Sequence, residues 1–342
     1  MPHKDINRSI LIAGPCAAES RTQIVETAQK ISALYPEQEV IFRAGVWKPR
    51  TNPHTFQGIG AEALEWLQEA KTLTSIPVAT EVATPEHIVQ AMQAGVDYLW
   101  LGARTTANPI LVQQLADTIM EQPMTLRRTL RAVLVKNPVN EDANLWIGDI
   151  ERIEHTGVAT MAIHRGCGHR PCWAMAHTLR KQRPDIPLLL DPSHLGGSAD
   201  KIAPLMRYAQ NLGFDGAMIE THPNPKEALS DAKQQITPQQ LKGITDTFPM
   251  PYSTYEHTEL NWLRAEIDEI DDQLWATVAR RMEVSQRIGD WKKAHAMPAL
   301  QQGRFTEILQ QRIEWAAENG LSAEMVENIF HEIHRESLRK QE

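Results

Sequence analysis

The chain has 342 residues, a formal net charge of −8 and an ordinary balance of 42% hydrophobic and 23% charged residues, so it is long enough for two folded domains. The acidic balance gives no support to a nucleic-acid-binding surface, and the apolar run at residues 10–13 is too short for a signal sequence or a membrane span. The three cysteines cannot all pair with one another, which fits a reducing cytoplasm.

The first 245 residues contain eight apolar runs of strand length, separated in most cases by stretches with helical periodicity. Runs that are almost continuously apolar are typical of strands buried on both faces of a parallel sheet. Thr84-Pro85 and Asn108-Pro109 each place a proline after a capping residue, which indicates a helix start. Eight such units predict a (β/α)8 TIM barrel. An open doubly wound sheet is the alternative, but no glycine-rich dinucleotide motif follows the first run. The predicted strands are 10–13, 40–42, 78–82, 98–101, 132–135, 159–163, 188–190 and 217–219.

Cations cluster where these strands end, which is where barrel enzymes place their chemistry. The second strand runs into Arg43, Lys48 and Arg50, with Pro49 stiffening the backbone between the last two. Further cations end later strands: Arg104, Lys136 and Arg165. Cations that converge on one mouth repel each other unless an anion lies between them, and the arginine fork suits phosphate and carboxylate. The pattern predicts a strongly anionic substrate with more than one phosphate. The alternatives are a solvated basic loop and structural pairing with barrel carboxylates, for which few partners are evident.

Metal-ligand side chains end three other strands. Cys16, His194 and Glu220 follow strands one, seven and eight, and Asp231 lies shortly after strand eight. A mixed set of sulfur, nitrogen and oxygen ligands fits a first-row transition ion better than magnesium. A competing local set that could hold structural zinc consists of His164, Cys167, His169 and Cys172.

The motifs at these strand ends resemble those of type I beta 3-deoxy-D-arabino-heptulosonate 7-phosphate (DAHP) synthases. The resemblance covers nearly all of the first 245 residues in order. Members of that family join phosphoenolpyruvate to erythrose 4-phosphate and release phosphate. The matching motifs are Gly14-Pro15-Cys16, Arg43 with Lys48-Pro49-Arg50-Thr51, Gly102-Ala103-Arg104-Thr105, Lys136-Asn137, His164-Arg165-Gly166, Asp191-Pro192-Ser193-His194, Glu220-Thr221-His222 and Ser230-Asp231.

The resemblance assigns a role to each of these side chains. It implies one divalent metal ion, foremost Mn²⁺ with Fe²⁺, Co²⁺ or Zn²⁺ as alternatives, held by Cys16, His194, Glu220 and Asp231. It implies a phosphoenolpyruvate site of Arg43, Lys48, Arg104, Lys136 and Arg165, and an erythrose 4-phosphate site of Arg50 and Thr51. Lys48 is also a candidate proton donor to the developing alkoxide, with a metal-bound water as the alternative. Because the first strand begins near residue 10, we expect the N-terminal regulatory domain of many relatives to be absent.

The composition changes after a proline-containing linker at residues 248–258. One helical pattern runs from about residue 259 to 293, and a helix of this length is ~50 Å long, which predicts pairing with a second chain. A second helix from about 304 ends at Asn319-Gly320, and Ser322 caps a third that reaches about 340. We therefore predict a barrel domain at 1–247, a linker at 248–258 and an all-α domain of three helices at 259–342 that dimerises.

Cations lie beside the apolar stripe of this helical segment. A bundle that serves only for assembly needs no such cations, because burying them unpaired is costly, whereas a dicarboxylate site does need them. The segment resembles the all-helical chorismate mutase family. The matching residues are Leu263, Arg264, Asp271, Leu274, Arg281, Gly289, Lys292, Pro298, Arg304, Ser337 and Gln341.

The second resemblance implies a substrate site that includes Arg264, Arg281, Lys292, Arg304, Ser337 and Gln341. Arg264 would reach the partner subunit's site, and Arg281 and Arg304 would clamp two carboxylates. Lys292 and Gln341 would face the ether oxygen of chorismate, since this rearrangement needs charge stabilisation but no nucleophile. Gln301 and Phe305 stand where many relatives have acidic residues, which affects the contact to the substrate hydroxyl.

Together the patterns predict a cytoplasmic bifunctional enzyme that forms homodimers or larger assemblies and contacts neither nucleic acid nor membrane. Its partners would be phosphoenolpyruvate, erythrose 4-phosphate, chorismate and prephenate, with prephenate or chorismate on the helical domain inhibiting the barrel. One alternative is a catalytically weak helical domain that only assembles and regulates the barrel. Another is a barrel aldolase for a different phosphosugar, which needs a Schiff-base lysine or another metal set.

Overall fold

The computed structural model describes residues 10–38, 40–49, 54–168, 170–248, 255–300 and 302–341. The chain divides into two compact units, Met1–Glu266 and Ile267–Glu342. No helix in the described residues is both long enough and apolar enough to cross a bilayer.

Eight parallel strands form a closed barrel in the first unit, in sequence order around the ring. The ring is closed by β1 and β8, which pair in register from Ile10 opposite Gly216 to Gly14 opposite Glu220. The predicted (β/α)8 barrel is therefore confirmed, and the open sheet is excluded. The strands are β1 (Ile10–Gly14), β2 (Val40–Arg43), β3 (Val78–Val82), β4 (Tyr98–Leu101), β5 (Ala132–Lys136), β6 (Ala159–His164), β7 (Leu188–Leu190) and β8 (Gly216–Glu220).

The helices of the first unit cover the barrel, and their starts follow the capping signals in the sequence. The Thr84 side chain accepts a hydrogen bond from the His87 amide, and Asn108 accepts two from the amides that follow Pro109. The helices are α1 (Arg21–Leu34), α2 (Ala63–Thr74), α3 (Pro85–Gln93), α4 (Pro109–Glu121), α5 (Met124–Thr129), α6 (Ala143–Glu154), α7 (Trp173–Gln182), α8 (Pro192–Gly196), α9 (Ile202–Asn211) and α10 (Pro238–Thr247). Short 3₁₀ helices lie at Ala199–Lys201, Pro225–Glu227 and Ala232–Gln234.

Alternate residues of the strands form two separate apolar layers. The larger layer fills the space between strands and helices. The smaller one fills the barrel interior and includes Ile41, Ala79, Leu134, Ile163, Leu189 and Met218. Because side chains on a strand alternate between faces, the residue two positions after each of these continues the interior face into the barrel mouth. Those residues are Arg43, Glu81, Lys136, Arg165, Asp191 and Glu220.

Three long helices follow the barrel: α11 (Tyr255–Ala294), α12 (Gln302–Glu318) and α13 (Ala323–Gln341). The all-α tail predicted from the sequence is confirmed, with α11 beginning four residues earlier than the pattern indicated. Most of the predicted linker, residues 249–254, lies outside the described residues. The Ser322 side chain accepts a hydrogen bond from the Met325 amide at 3.2 Å, as its capping role requires.

The first turns of α11 belong to the first unit because they pack on the barrel's outer helices. Trp262 is buried against Trp173 and Phe214. Beside it, the two ring nitrogens of His177 lie 2.7 and 2.9 Å from carboxylate oxygens of Glu266 and Glu259.

Candidate active sites

A cavity of about 90 Å³ opens at the carboxyl ends of the barrel strands. It brings together all five cations that the resemblance assigns to phosphoenolpyruvate, from β2, β4, β5 and β6 and the loops that follow them. Two of the predicted metal ligands and one further carboxylate also line it. These lining residues are Arg43, Lys48, Glu81, Arg104, Lys136, Arg165, His194 and Asp231.

Arg43 is fully buried in this cavity. Its Nη2 donates to Glu220 Oε1 at 3.2 Å and to the Cys16 carbonyl at 3.3 Å, and its guanidinium lies 4.7 Å from the Trp100 ring centre. Its Nε and Nη1 are buried without a hydrogen-bond partner among the described residues. Unpaired guanidinium donors are costly to bury, so Arg43 is suited to an anion that enters the cavity.

The two lysines of the cavity are each held by a barrel carboxylate. Lys48 Nζ donates to the Cys16 carbonyl at 3.0 Å and lies 3.5 Å from Glu81 Oε2. Lys136 Nζ donates to Asp191 Oδ2 at 2.7 Å. With the Arg43–Glu220 pair, three of the five cations have carboxylate partners, so the expectation of few partners was wrong. These pairs allow the cations to lie close together before an anionic ligand arrives.

Burial and neighbouring charges shift the pKa values of these groups in opposite directions. Burial alone lowers the pKa of Lys48, but the neighbouring Cys16 and Glu81 raise it more, and the net shift is upward. Burial likewise raises the pKa of Asp191, yet His194 and Lys136 hold it well below its usual range. The lysine is therefore protonated and the aspartate ionised at neutral pH.

Arg104 and Arg165 complete the ring of cations. Arg104 is exposed, and its Nη1 donates to the Pro49 carbonyl at 3.4 Å. The Arg165 amide donates to Asn137 Oδ1 at 2.7 Å, while Asn137 Nδ2 donates to the Gly166 carbonyl at 3.1 Å. The buried amide of Asn137 thus ties the end of β5 to the end of β6.

The predicted and the described residues of the barrel site differ at four positions. Arg50 and Thr51, predicted for the sugar phosphate, lie outside the described residues. Glu81 and Asp191 were not predicted as site residues, although each holds a lysine of the cavity. The signal that could have found them is the alternation along β3 and β7, since each stands two residues beyond an interior residue.

Three predicted metal ligands form a compact donor group. One donor atom from each of Cys16, Glu220 and Asp231 lies within 4.8 Å of the others, and Cys16 Sγ donates to Asp231 Oδ2 at 3.0 Å. His194 stands beside this group, with Nε2 3.6 Å from Glu220 Oε1 and Nδ1 2.8 Å from Asp191 Oδ2. A carboxylate on the far nitrogen is how metal-binding histidines are usually oriented.

The chemistry of this donor set fits a transition ion. Burial raises the pKa of the Cys16 thiol far above its ordinary value, and the Glu220 and Asp231 carboxylates add to the effect while Lys48 opposes it. The sulfur therefore keeps its proton and donates it to Asp231, whereas a divalent cation in this place would favour the thiolate.

Neighbouring side chains fix the orientation of the donors. Gln234 Nε2 donates to Glu220 Oε2 at 2.7 Å, and the Cys16 amide donates to Gln235 Oε1 at 3.1 Å. The Glu220 amide donates to Ser193 Oγ at 3.0 Å.

The competing zinc set does not assemble in the described residues. His164 lies in the outer layer, with Nε2 2.6 Å from the Pro171 carbonyl and its ring among Trp146, Trp173 and Phe214. Cys167 Sγ lies 3.5 Å from Met175 Sδ and interacts with the Cys172 side chain, but no described histidine or carboxylate joins these two thiols in a metal-ligand group. His169 falls outside the described residues.

The second unit brings predicted site residues of α11 and α13 together. Arg281 Nη1 donates to Ser337 Oγ and, at 3.4 Å, to the Ile333 carbonyl. Lys292 Nζ donates to Gln341 Oε1 at 3.2 Å. The close approach needs a glycine at 289, because an added Cβ would lie 2.6 Å from Gln341 Cα.

The other predicted residues of the helical site are placed differently. Arg304 is exposed at the start of α12, with Nη1 3.0 Å from Glu307 Oε2. Arg264 is an exposed residue of the first unit. Phe305 packs on His334 at 4.2 Å between ring centres. Gln301 lies outside the described residues.

Comparison with known families agrees with this geometry. The sequence model of the DAHP synthetase I family matches residues 4–248, most of the chain and the whole of the barrel. The chain belongs to the DAHP synthetase I family. A second model, chorismate mutase type II, matches residues 263–342. Both are families of enzymes, so the predicted fusion of two enzyme domains is confirmed.

Individual relatives of this DAHP synthetase I family member support the assignment. The phospho-2-dehydro-3-deoxyheptonate aldolase of Thermotoga maritima is 32% identical over 235 residues, which cover 66% of this chain and 64% of that protein. The 2-dehydro-3-deoxyphosphooctonate aldolase of Wolinella succinogenes is 28% identical over 264 residues, or 69% of this chain and 96% of that protein. The crystal structure of the Thermotoga maritima DAHP synthase superposes with a TM-score of 0.61 at 28% identity, covering 72% of this chain and 71% of that one.

Proposed function

We propose that the barrel condenses phosphoenolpyruvate with erythrose 4-phosphate and water to give DAHP and phosphate, and that the helical unit rearranges chorismate to prephenate. The observation that carries the first activity is Arg43, because two of its donors have no partner among the described residues and lie in a cavity ringed by four further cations. The family assignments support both activities.

In the barrel, the cations hold two anionic substrates in attack geometry, which lowers the entropic and electrostatic parts of the barrier. Arg50 with Thr51 receives the aldose phosphate. Five cations surround the phosphoenolpyruvate: Arg43, Lys48, Arg104, Lys136 and Arg165. Lys48, buried and protonated beside Glu81, donates a proton to the alkoxide that forms when the aldehyde carbon is attacked.

Cys16, His194, Glu220 and Asp231 would hold one divalent metal ion, foremost Mn²⁺. When bound, such an ion supplies Lewis-acid polarisation of the aldehyde oxygen. The contacts that support the assignment are the compact donor group, the Asp191 carboxylate behind His194 and the Gln234 amide on Glu220.

In the helical unit, Arg281 and Arg304 clamp the two carboxylates of chorismate, while Lys292 and Gln341 stabilise the charge on the ether oxygen as its bond breaks. The Lys292–Gln341 contact at 3.2 Å already sets these two groups side by side. Ser337 positions the Arg281 guanidinium.

We propose that a second copy of the chain covers the apolar face of α11 and brings Arg264 to the site. Ile267, Ile270 and Leu274 are 58, 62 and 52% exposed on successive turns of α11, an apolar surface that is unusual in a monomer. Prephenate or chorismate on this dimer would inhibit the barrel. Sedimentation velocity should give a dimer, and barrel rates should fall with added prephenate. A monomer, or rates unaffected by prephenate, would contradict these two proposals.

The name of the Wolinella relative refers to an eight-carbon sugar acid. Joining phosphoenolpyruvate to a five-carbon aldose phosphate would give such a product, so this sugar is the alternative acceptor. Phosphate release should be measured with a four-carbon and a five-carbon aldose phosphate, with manganese and after chelation. We expect turnover with the four-carbon sugar, loss on chelation and recovery with manganese. Preference for the five-carbon sugar would favour the octonate product, and activity that survives chelation would favour a Schiff-base mechanism.

The helical activity is tested by chorismate consumption in the wild type, Lys292→Ala and Lys293→Ala. The neighbouring lysine is the matched control, because it lies next to Lys292 on the same helix but has no predicted role. We expect loss of turnover only in Lys292→Ala. Wild-type turnover no faster than that of Lys292→Ala would instead support the alternative of a helical domain that only assembles and regulates.

A further inference from the structure

One face of α13 lines the helical site. His334, Ser337 and Gln341 are spaced by three and four residues, so their side chains lie on the same face of the helix. Ser337 accepts from Arg281 and Gln341 accepts from Lys292. His334 therefore stands one turn before Ser337 and two turns before Gln341, the α13 residues that contact the cations of the site.

The His334 ring is half-buried, and its Nε2 is fully buried without a hydrogen-bond partner among the described residues. Phe305 of α12 covers the ring at 4.2 Å between centres. A buried polar atom without a partner is destabilising, so this nitrogen is available for a group that enters from outside the chain.

Two cations of α11 and a second imidazole of α13 lie around His334, whereas α12 presents an uncharged ring to it. Burial lowers its pKa, and Arg281, His331 and Lys292 lower it further. Arg281 and Lys292 belong to α11 and His331 to α13, while α12 contributes the uncharged Phe305, beside which the exposed Arg304 pairs with Glu307. The imidazole thus binds a proton less readily in the free site than an ordinary histidine does, and a dianion among these cations would reverse the field on it.

We propose that His334 is a binding residue of the helical site that donates its Nε2 hydrogen to an anionic oxygen of a dicarboxylate ligand. This role rests on the proposed function of the helical unit. It gives the ligand a polar partner on the side of the site where Phe305, unlike an acidic side chain, offers no hydrogen-bonding group.

The test measures prephenate binding to the full chain by calorimetry, in buffers of different ionisation enthalpy and from pH 6 to pH 8. The variants are His334→Leu, His334→Gln, which keeps a donor near the Nε2 position, and the control His331→Gln. Wild-type protein should take up protons on binding, and its affinity should fall as pH rises, since the complex binds the extra proton.

His334→Leu should weaken binding about tenfold, the loss of one charge-assisted hydrogen bond. His334→Gln should bind within about threefold of wild type, without proton uptake and with a flat pH profile. His331→Gln should bind prephenate about as tightly as wild type but take up fewer protons, because loss of His331 raises the pKa of His334 in the free site. Circular dichroism checks that each variant is folded. If His334→Leu does not fold, His334→Gln still tests the proposal.

Two results would overturn the proposal in different ways. Unchanged affinity, proton uptake and pH profile in His334→Leu and His334→Gln would refute the role of His334 while leaving the proposed function intact. If wild type and Arg281→Ala alike failed to bind prephenate, the proposed function would be refuted and this inference with it.

Discussion

Arg43 lies between the predicted substrate site and the predicted metal site of the barrel. Its Nη2 contacts Glu220, a predicted metal ligand, while Nε and Nη1 have no partner in the described residues. One buried guanidinium therefore adjoins both predicted sites. Its planar fork offers several donors in fixed directions, which a lysine of the same charge does not.

The first prediction concerns this fork. Arg43→Lys keeps the charge but removes the two unpaired donors, so kcat/KM for the condensation should fall about 100-fold. Steady-state phosphate release measures the change. The control is Arg21→Lys, an exposed arginine paired with Glu69, which should leave the rate unchanged. A loss no larger in Arg43→Lys than in the control would contradict the assigned role.

The second prediction concerns His164. Burial lowers its pKa to about 4, against about 6.5 in the unfolded chain. The unfolded state therefore binds the proton more readily, so the stability from neutral His164 is complete above about pH 6.5 and is lost as pH falls towards about 4. As pH falls over this range, the free energy of unfolding of His164→Gln should decrease by up to ~3 kcal/mol less than that of the wild type.

Denaturant unfolding at several pH values measures the slope for His164→Gln. His155→Gln, at an exposed helix end, is the matched control and should keep the wild-type slope. Parallel slopes in all three proteins would show that His164 does not titrate in this way.

At the scale of elements, a single alternation along each strand produces both the core and the site. Ile41, Leu134 and Met218 fill the barrel, and the next residues in phase, Arg43, Lys136 and Glu220, enter its mouth. The same regularity operates on α13, where spacings of three and four residues place His334, Ser337 and Gln341 on one face.

The third prediction concerns the contact between α11 and α13. Gly289→Ala would place a Cβ 2.6 Å from Gln341 Cα, so α13 must shift and carry Gln341 away from Lys292. We expect a loss of about 1–3 kcal/mol in stability and slower chorismate turnover, measured by thermal unfolding and by rate. Gly303→Ala meets no atom within 4 Å and should change neither quantity for the worse. Equal behaviour of the two variants would contradict the close approach.

At the scale of the molecule, two units with different chemical requirements share one chain. The first brings together thiol, imidazole and carboxylate groups, whereas in the described part of the second unit no three such side chains form a metal-ligand group. Metal dependence should therefore separate the two activities.

The fourth prediction follows from this difference. Chelation and dialysis should lower the condensation rate by about two orders of magnitude and leave chorismate rearrangement unchanged, with both rates measured on the same sample. Elemental analysis should show one equivalent of metal lost per chain. Cys167→Ser, a buried cysteine outside the cavity, should retain the metal that Cys16→Ser loses. Parallel loss of both activities would contradict the assignment.

Much of this organisation was predictable from local sequence alone. Each strand was identified from its apolar run, the helix starts from Thr84 and Asn108, and the site's residue types from their places at strand ends. These signals are local, because periodicity and capping depend on neighbours within a few residues. The order of the motifs was also enough to indicate both families.

Only the tertiary structure decided which of these groups meet. Cys16 and Asp231, 215 residues apart, hydrogen-bond because the barrel closes between β8 and β1. Packing of side chains across elements also decides the partners of Lys48 and Lys136 and the bridge that Asn137 makes to Gly166. It likewise leaves nitrogens of Arg43 and His334 without a partner in the part of the chain that the structure describes. Such packing has no local sequence pattern, since each contact is set by the positions of whole strands and helices relative to one another.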